Sequence, residues 1–300
     1  MRGKLKKLFA AVLAVLLALS FSGCSELTGL DAQALMSPPK TTADREAIYA
    51  LMGGGVGDVT LVYPKCGDYR SAIISRDLDG CGTSEVVSFC ANGDAGGTRL
   101  EFFKKNTDGV WNSMARFTSA ATQVDKVFFG DLTGDGMDEI IVGWGDPLTA
   151  TASVSVYYVD GDTIREFSMT TVSYSEILLT DFDSDNIKEL FVLQAAQTSG
   201  EEIMALGGLY RFDGDQPYVS KTVPLDAAVT RYTSVSFSQV NSWRRAAVLD
   251  GVKADGRMLT QVIGYDEASD RLISPLSNEE NATDRPTAAA AVSRDVNKDG

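Results

Sequence analysis

The chain has 300 residues, of which 41 are acidic and 27 are basic, so its formal net charge is −14 at neutral pH. We expect no binding to nucleic acid, because that binding depends on Lys and Arg side chains that neutralise phosphates. The chain contains no histidine, which excludes Ser-His-Asp and Cys-His nucleophilic sites as well as histidine-ligated metal centres.

Residues 1–23 have the pattern of an export signal, with four basic residues, an apolar segment and small residues before Cys24. Segment Phe21–Cys24 resembles the lipobox of a bacterial lipoprotein. The resemblance implies that Cys24 is lipidated and anchors the protein to the bacterial cell membrane, on its outer, extracytoplasmic face. A transmembrane anchor is the alternative, although the apolar segment is shorter than the ~20 residues that a spanning helix needs.

Two short segments follow the signal. Residues 24–40 predict a polar tether, and residues 41–54 predict a short helix with Thr41 and Asp44 in capping-box register. Three apolar residues fall on one face of this helix, namely Ile48, Leu51 and Met52. We therefore expect the helix to pack as a cap against the domain that follows it.

The segment 130–144, GDLTGDGMDEIIVGW, places several acidic side chains directly before an apolar stretch. Asp131, Asp135 and Glu139 would repel one another across a few ångströms unless a cation were present. Ca²⁺ accepts six to eight oxygen ligands in irregular geometry. Four basic and no acidic residues precede Cys24, so removing them takes the net charge from −14 to −18, which also favours divalent cations.

The acidic segment is repeated along the chain. Asp131 has four counterparts, and consecutive members of the series are 50 to 58 residues apart. The five positions are Asp77, Asp131, Asp181, Gln239 and Asp295. A second landmark, an apolar strand followed by an acidic turn, recurs in each unit at Asp108, Asp160, Asp213 and Asp266. Each unit thus predicts four antiparallel strands in ~50 residues, the content of one β-propeller blade.

These repeats resemble the FG-GAP or VCBS repeat, known from integrin α-chain propellers and bacterial surface proteins. The resemblance covers residues 60–300 and implies an all-β propeller of four-stranded blades with Ca²⁺ in the blade loops. It shows four blades and the start of a fifth, near 68–120, 125–175, 176–230, 232–284 and, incomplete, 288–300. It implies no single enzymatic activity.

The resemblance also implies the ligands of each loop, from side chains at loop positions 1, 3, 5 and 9 and a main-chain carbonyl at position 7. The second loop supplies Asp131, Thr133, Asp135, the Met137 carbonyl and Glu139, and position 6 is Gly136. The third loop supplies Asp181, Asp183, Asp185, the Ile187 carbonyl and Glu189, with Asn186 at position 6. Position 6 needs a residue that tolerates positive φ, as Gly and Asn do.

The other loops depart from this pattern. The first has Asp77, Asp79 and Glu85 but Cys81 at position 5, a poor ligand for a hard cation. The fourth has Gln239, Asn241, Trp243 and Ala247, so we expect no calcium there and consider that Arg244 and Arg245 take the place of the cation. The fifth supplies Asp295, Asn297 and Asp299. The alternative for all loops is that the acids are solvated turn residues.

Three cysteines lie beyond the lipobox. If residues 71–76 and 85–90 pair across the first loop, Cys81 lies at one end of the hairpin and Cys90 at the other. Cys66 precedes the hairpin near Cys90, so a Cys66–Cys90 disulfide is predicted. The alternative is three free thiols.

The function that these features favour is a non-catalytic, calcium-stabilised surface propeller that binds a protein or glycan. The alternatives are an extracellular carbohydrate-active enzyme that uses paired carboxylates and a structural component of an envelope assembly. Because the fifth loop ends at Gly300 without its closing strands, we also expect the natural chain to continue with further blades.

Overall fold

The computed structural model describes residues 43–55, 57–145, 152–168, 172–195, 205–213, 216–241 and 244–274. The export signal, Cys24, the tether, Thr41, Trp243 and the fifth loop with Asp295, Asn297 and Asp299 lie outside these residues. The chain divides into two units, residues 1–46 and 47–300. Residues 43–46 of the first unit are helical, and all the strands described below belong to the second unit.

The described residues form antiparallel sheets in which neighbouring strands follow one another along the chain. The first sheet contains β1 Ile73–Arg76, β2 Glu85–Ala91, β3 Thr98–Lys105 and β4 Trp111–Ser119. The second contains β5 Gln123–Gly130, β6 Glu139–Gly145, β7 Ala152–Asp160, β8 Thr163–Glu166 and β9 Val172–Tyr174. The last two strands pair with opposite halves of β7. Together they form an interrupted fourth strand.

The third and fourth sheets repeat this order. The third contains β10 Glu176–Thr180, β11 Glu189–Gln194, β12 Leu206–Asp213 and β13 Gln216–Pro224. The fourth contains β14 Val229–Asn241, β15 Arg244–Lys253, β16 Met258–Asp266 and β17 Arg271–Ile273. The prediction of an all-β fold with four-stranded antiparallel sheets is confirmed, and such sheets are consistent with a β-propeller-like fold.

Each sheet packs face to face on the next sheet along the chain. Phe89 of the first sheet shares an apolar cluster with Ile140 of the second, while Ile141, on the other face of β6, packs in a cluster with Leu190 of the third sheet. The opposite face of β11 is buried with residues of the fourth sheet. A strand covered on both faces needs a continuous apolar run, which explains the sequence EIIVGW of β6.

The predicted helix is present as α1, Ala43–Leu51. Ile48 and Met52 are buried with Val86, Cys90 and Phe103 of the first sheet. The end of the helix from Ile48 onwards therefore packs on the first sheet. Among the described residues, no helix has both the length and the apolarity needed to cross a membrane.

Candidate metal sites in three acidic loops

Three acidic loops occupy equivalent places, each joining the first strand of a sheet to the second. They are the first acidic loop (77–85), the second acidic loop (131–139) and the third acidic loop (181–189). Each ends in a glutamate that is the first residue of a buried strand, namely Glu85, Glu139 or Glu189. These three glutamates are at most 2% exposed.

Each closing glutamate turns back to the start of its own loop. One carboxylate oxygen accepts a hydrogen bond from the main-chain N–H at position 2, at 2.9 Å from Leu78, 2.6 Å from Leu132 and 2.8 Å from Phe182. A buried N–H needs such an acceptor, because an unpaired one costs free energy. The glutamate therefore fixes the loop even apart from any metal.

The first aspartate of each loop also binds the main chain. Asp77 accepts from the N–H of Gly82 at 2.9 Å, and Asp131 and Asp181 accept from position 6 of their loops at 3.0 Å. Position 6 has positive φ, with 83° at Gly136 and 70° at Asn186. The prediction that this position must tolerate the left-handed region is confirmed.

Position 5 is an aspartate in the second and third acidic loops, and its carboxylate accepts a hydrogen bond from the N–H at position 7. The distances are 2.8 Å from Met137 to Asp135 and 2.9 Å from Ile187 to Asp185. In the second acidic loop, Thr133 Oγ1 donates to Glu139 Oε1 at 3.3 Å. These hydrogen bonds fold the second and third acidic loops into tight turns.

Adjacent loops are joined through their main chains. The N–H of Asp138 donates to the Leu78 carbonyl at 3.3 Å, and the N–H of Lys188 donates to the Asp131 carbonyl at 3.0 Å. Arg76 Nε donates to Asp138 Oδ2 at 2.6 Å. The three loops therefore form one continuous row along neighbouring sheets.

Two of the loops contain a basic side chain from the third strand of their own sheet. Arg211 Nη2 contacts Asp183 and lies 3.0 Å from Asp185 Oδ2 and 2.6 Å from Glu189 Oε1. Lys104 Nζ contacts Asp79 and lies 3.6 Å from Glu85 Oε1. The sequence reasoning missed both of these residues.

The second acidic loop differs in this respect. Among the described residues, no Lys or Arg side chain forms an ion pair with Asp131, Asp135 or Glu139. Tyr158 occupies the place that corresponds to Lys104 and Arg211, and its ring packs against Phe167 with centroids 4.4 Å apart. Asp138 of this loop pairs with Arg76, whereas the carboxylates of Asp131, Asp135 and Glu139 have no such basic partner among the described residues.

Two groups of potential ligand atoms lie close together in the described part of the chain. Ligand atoms of Asp181, Asp183 and Glu189 all lie within 4.8 Å of one another, and so do those of Asp77, Asp79 and Cys81. These groups belong to the third and first acidic loops. Main-chain N–H groups bind Asp131 and Asp135 of the second acidic loop, as they bind Asp181 and Asp185 of the third.

Burial sets the protonation properties of the closing glutamates. Burial raises the pKa of Glu139 to about 7, the Leu132 N–H partly offsets this effect, and the nearby Asp135 and Asp131 raise it further. Burial also raises the pKa of Glu189 to about 7, although Arg211 acts in the opposite direction. Ionising these carboxylates is thus costly, and a nearby cation reduces the cost.

The two basic residues respond to the same environment. Burial alone would lower the pKa of Arg211, but its hydrogen bond with Glu189 and the surrounding carboxylates raise it. At Asp79, burial opposes ionisation, yet hydrogen bonds from Lys104 and Cys81 lower the pKa to about 2. Arg211 and Lys104 are therefore charged partners of these loops.

The predicted fourth loop is a hairpin. Gln239 pairs with Arg245 and Asn241 pairs with Arg244 across β14 and β15, and Ala247 is a buried strand residue. The guanidinium of Arg245 lies over the Phe237 ring, 4.6 Å from its centroid. The nine-residue loop inferred from sequence is thus corrected, because strand pairing includes residues 239, 241 and 244–247, with an irregularity between Gln239 and Asn241.

The predicted Cys66–Cys90 disulfide is wrong in this structure, since Cys66, Cys81 and Cys90 are free thiols. The predicted pairing of β1 with β2 is present, but Leu61, not Cys66, lies opposite Cys90. Cys66 lies beside the second sheet, where its N–H donates to the Asp125 carbonyl at 3.0 Å.

A polar cluster that the sequence did not indicate surrounds Cys66. Its thiol lies 3.4 Å from Asp125 Oδ1. The other carboxylate oxygen of Asp125, Oδ2, accepts a hydrogen bond from Tyr174 Oη at 2.6 Å. Lys126 is buried beside it and pairs with Glu176. Burial, together with Asp125, outweighs Lys126 and raises the pKa of Cys66 to about 11. The cluster joins the second sheet to the third.

A cleft of about 280 Å³ opens beside the third acidic loop. Its lining combines acidic, basic and aromatic side chains: Phe182, Asp183, Ser184, Arg245, Tyr265, Asp266, Glu267 and Ala268. Tyr265 Oη donates to Asp270 Oδ1 at 2.7 Å. The cleft is lined by residues of the third and fourth sheets and their loops.

Comparisons with known proteins give little further information. No protein-family model matches the chain, and no curated protein matches it. Among solved structures, the chain is similar to a protein named as an exo-beta-1,3-galactanase from Bifidobacterium bifidum s17. The two are 12% identical, the match covers 72% of this chain and 90% of the other, and the TM-score is 0.30. A likeness at that TM-score supports no conclusion about activity.

Proposed function

We propose that this protein is a membrane-anchored, extracytoplasmic β-propeller that is stabilised by calcium and acts as a non-catalytic module for binding a protein or a glycan. One observation carries the proposal: three acidic loops with the same hydrogen bonds lie in a row at the same place in three neighbouring sheets. Isolated solvated turns would have no reason to share a buried closing glutamate.

In this proposal each described sheet is one blade of the propeller. The proposed calcium ligands of the second acidic loop are Asp131, Thr133, Asp135, the Met137 carbonyl and Glu139. Those of the third are Asp181, Asp183, Asp185, the Ile187 carbonyl and Glu189, and those of the first are Asp77, Asp79 and Glu85. A bound Ca²⁺ would supply positive charge that holds the loop in its folded shape.

The cleft beside the third acidic loop is the proposed place of ligand binding. It combines the ring of Tyr265 with the Arg245 guanidinium and the carboxylates of Asp266 and Glu267. Most of the residues that line the cleft are charged or polar, and they surround the two aromatic residues Phe182 and Tyr265. A sugar fits this chemistry, because it offers hydroxyl groups to carboxylates and an apolar face to an aromatic ring.

The anchor is proposed from the sequence of residues 1–24. Lipidation at Cys24 would place the cleft and the acidic loops outside the cytoplasmic membrane. A Cys24→Ser variant expressed in bacteria should lose a lipid label and leave the membrane fraction. Retention of the variant in the membrane fraction would contradict the proposed anchor.

The binding role is tested with the full chain, purified in detergent, on a glycan array and in pull-downs against envelope proteins. Tyr265→Ala should abolish the binding that the wild type shows. Tyr218→Ala is the matched control, because Tyr218 is exposed on β13 and does not line the cleft. Equal binding by both variants would place the ligand elsewhere.

The carbohydrate-active enzyme remains the alternative, and the carboxylates of the cleft make it testable. Under it, the wild type should release reducing sugars from polysaccharides, and Glu267→Gln or Asp266→Asn should stop the release. Binding without release favours the binding module. If no glycan binds and the protein instead copurifies with envelope proteins after cross-linking, the structural envelope component is the better description.

A further inference from the structure

The position opposite the closing glutamate differs among the three acidic loops. Across the second and third strands, Val86 pairs with Phe103, Ile140 with Tyr157 and Leu190 with Tyr210. In each second strand, the residue just before the one named is the closing glutamate. In the third strand of the same sheet, the residue just after the one named is Lys104 in the first sheet, Tyr158 in the second and Arg211 in the third.

We propose that this position decides which loops need a metal: Arg211 and Lys104 are built-in cations that replace calcium in the third and first acidic loops, while the second acidic loop, with Tyr158, binds it. This inference rests on the proposed function, but it restricts calcium to the second acidic loop and replaces the ligand sets proposed above for the first and third loops. It makes the second acidic loop the main calcium site of the described part of the chain.

Arg211 occupies the place that the metal would need. One nitrogen, Nη2, contacts the carboxylates at positions 3, 5 and 9, which are Asp183, Asp185 and Glu189. These are three of the four side-chain ligands that the sequence assigns to calcium in this loop. Because the guanidinium and a calcium ion would bind the same oxygens, an ion can enter only if Arg211 leaves.

Lys104 fills the first acidic loop less completely. Its ammonium contacts Asp79 and approaches Glu85, while Asp77 Oδ1 is buried without a hydrogen-bond partner. Position 5 of this loop is Cys81, whose sulfur contributes little to a hard cation. The loop therefore combines a built-in cation with a weaker ligand set, and both features disfavour calcium.

The second acidic loop has neither disadvantage. Its ligand positions are all oxygen-bearing residues, and Tyr158 carries no positive charge at neutral pH. The charges of Asp131, Asp135 and Glu139 lie within one tight turn, where Coulomb repulsion is substantial unless a cation reduces it. An external divalent cation is the partner that fits this arrangement.

The test exchanges the two arrangements in the full chain and counts bound calcium by equilibrium dialysis with radioactive Ca²⁺. Arg211→Met removes the built-in cation and should bind one calcium ion more than the wild type. Tyr158→Arg introduces a cation into the second loop and should bind one fewer. Counting differences from the wild type makes the result independent of other sites in the chain.

Two variants serve as controls. Arg165→Met removes one positive charge from an exposed pair with Asp160, and it should leave the calcium count unchanged. Tyr158→Phe keeps the aromatic ring against Phe167 and should also bind as the wild type does. If Arg211→Met does not fold in chelator but folds in calcium, the added ion replaces the missing cation and the inference is supported.

The outcomes separate the inference from the proposed function. If the wild type binds calcium but neither Arg211→Met nor Tyr158→Arg changes the count, the built-in cations are refuted and the calcium proposal stands. If neither the wild type nor Arg211→Met binds calcium, the calcium proposal itself fails. If Arg211→Met folds under no condition, Tyr158→Arg alone tests the inference. Loss of one bound calcium ion in that variant supports the inference, and retention of the ion refutes it.

Discussion

Replacement of Glu139 tests whether the closing glutamate has both a structural and a metal-binding role. Its carboxylate is 2% exposed, accepts the Leu132 N–H at 2.6 Å and accepts the Thr133 hydroxyl at 3.3 Å. Glu139→Ala removes both acceptors and leaves a buried N–H unpaired. Glu139→Gln retains a carbonyl oxygen that can accept the same N–H but removes the negative charge.

The two variants should differ in the absence of calcium. An unpaired buried donor costs about 1–3 kcal/mol, and loss of the buried charge offsets part of this, because the burial that raises the pKa of Glu139 makes its ionised form costly. We expect Glu139→Ala to lower the free energy of unfolding by about 2 kcal/mol, or the melting temperature by roughly 4–8 °C. Glu139→Gln should remain within about 1 kcal/mol of the wild type.

Thermal melts followed by circular dichroism, in chelator and then in excess calcium, measure both roles. In calcium, both variants should lose the part of the stabilisation that comes from the second acidic loop. Melting of Glu139→Ala within about 1 °C of the wild type in chelator would refute the structural role. A full calcium response in Glu139→Gln would refute the role of Glu139 as a ligand.

Two further predictions test other parts of the structure. Iodoacetamide at pH 8 should modify the exposed thiol of Cys81 first and the thiol of Cys66 slowly. The rate of Cys66 modification should rise until about pH 11, because the pKa of that thiol is raised to about 11. Peptide mass spectrometry that found Cys66 in a disulfide would contradict this prediction. Gly143→Ala should lower the free energy of unfolding by about 1–3 kcal/mol, because the added Cβ overlaps the buried hydroxyl of Tyr174. Gly145→Ala on the same strand, where the nearest atom would be 3.7 Å away, should leave a urea titration unchanged, and equal effects of the two would contradict the packing.

Much of the sheet structure is predictable from local patterns. The run EIIVGW of β6 is apolar throughout because both faces of the strand are covered, and a continuous run of this length indicates such a strand. The hairpin that the Asp-Gly sequence predicts is present, although Asp160 pairs with Thr163 and the two turn residues are Gly161 and Asp162. These features depend on residues close together in sequence.

The counter-cations were not predictable in the same way. Arg211 lies more than 20 residues after Glu189 in sequence, and the two meet only because of the register between β11 and β12. Lys104, Tyr158 and Arg211 also do not follow their loop starts, Asp77, Asp131 and Asp181, at one constant spacing. Only the strand register brings them to equivalent places, so the local sequence carries no clear signal for them.

The disulfide prediction failed for a related reason. It placed Cys66 near Cys90 because Cys66 precedes that end of the hairpin, but the segment before β1 pairs with β2 only around Leu61. The chain then turns to the second sheet, where the Lys65 N–H donates to the Val124 carbonyl at 3.1 Å. Contacts between sheets determine this path, and the local sequence does not encode them.

The central claim, that calcium binds the folded acidic loops, is tested most directly by the melting temperature of the full chain in chelator and after calcium is added back. A ligand that binds only the folded state stabilises it by about 2.7 kcal/mol at 100 times its dissociation constant. The melting temperature should therefore rise with calcium concentration, with a smaller response in Asp135→Ala and an unchanged response in Gln239→Ala. A melting temperature that calcium leaves unchanged would contradict the claim.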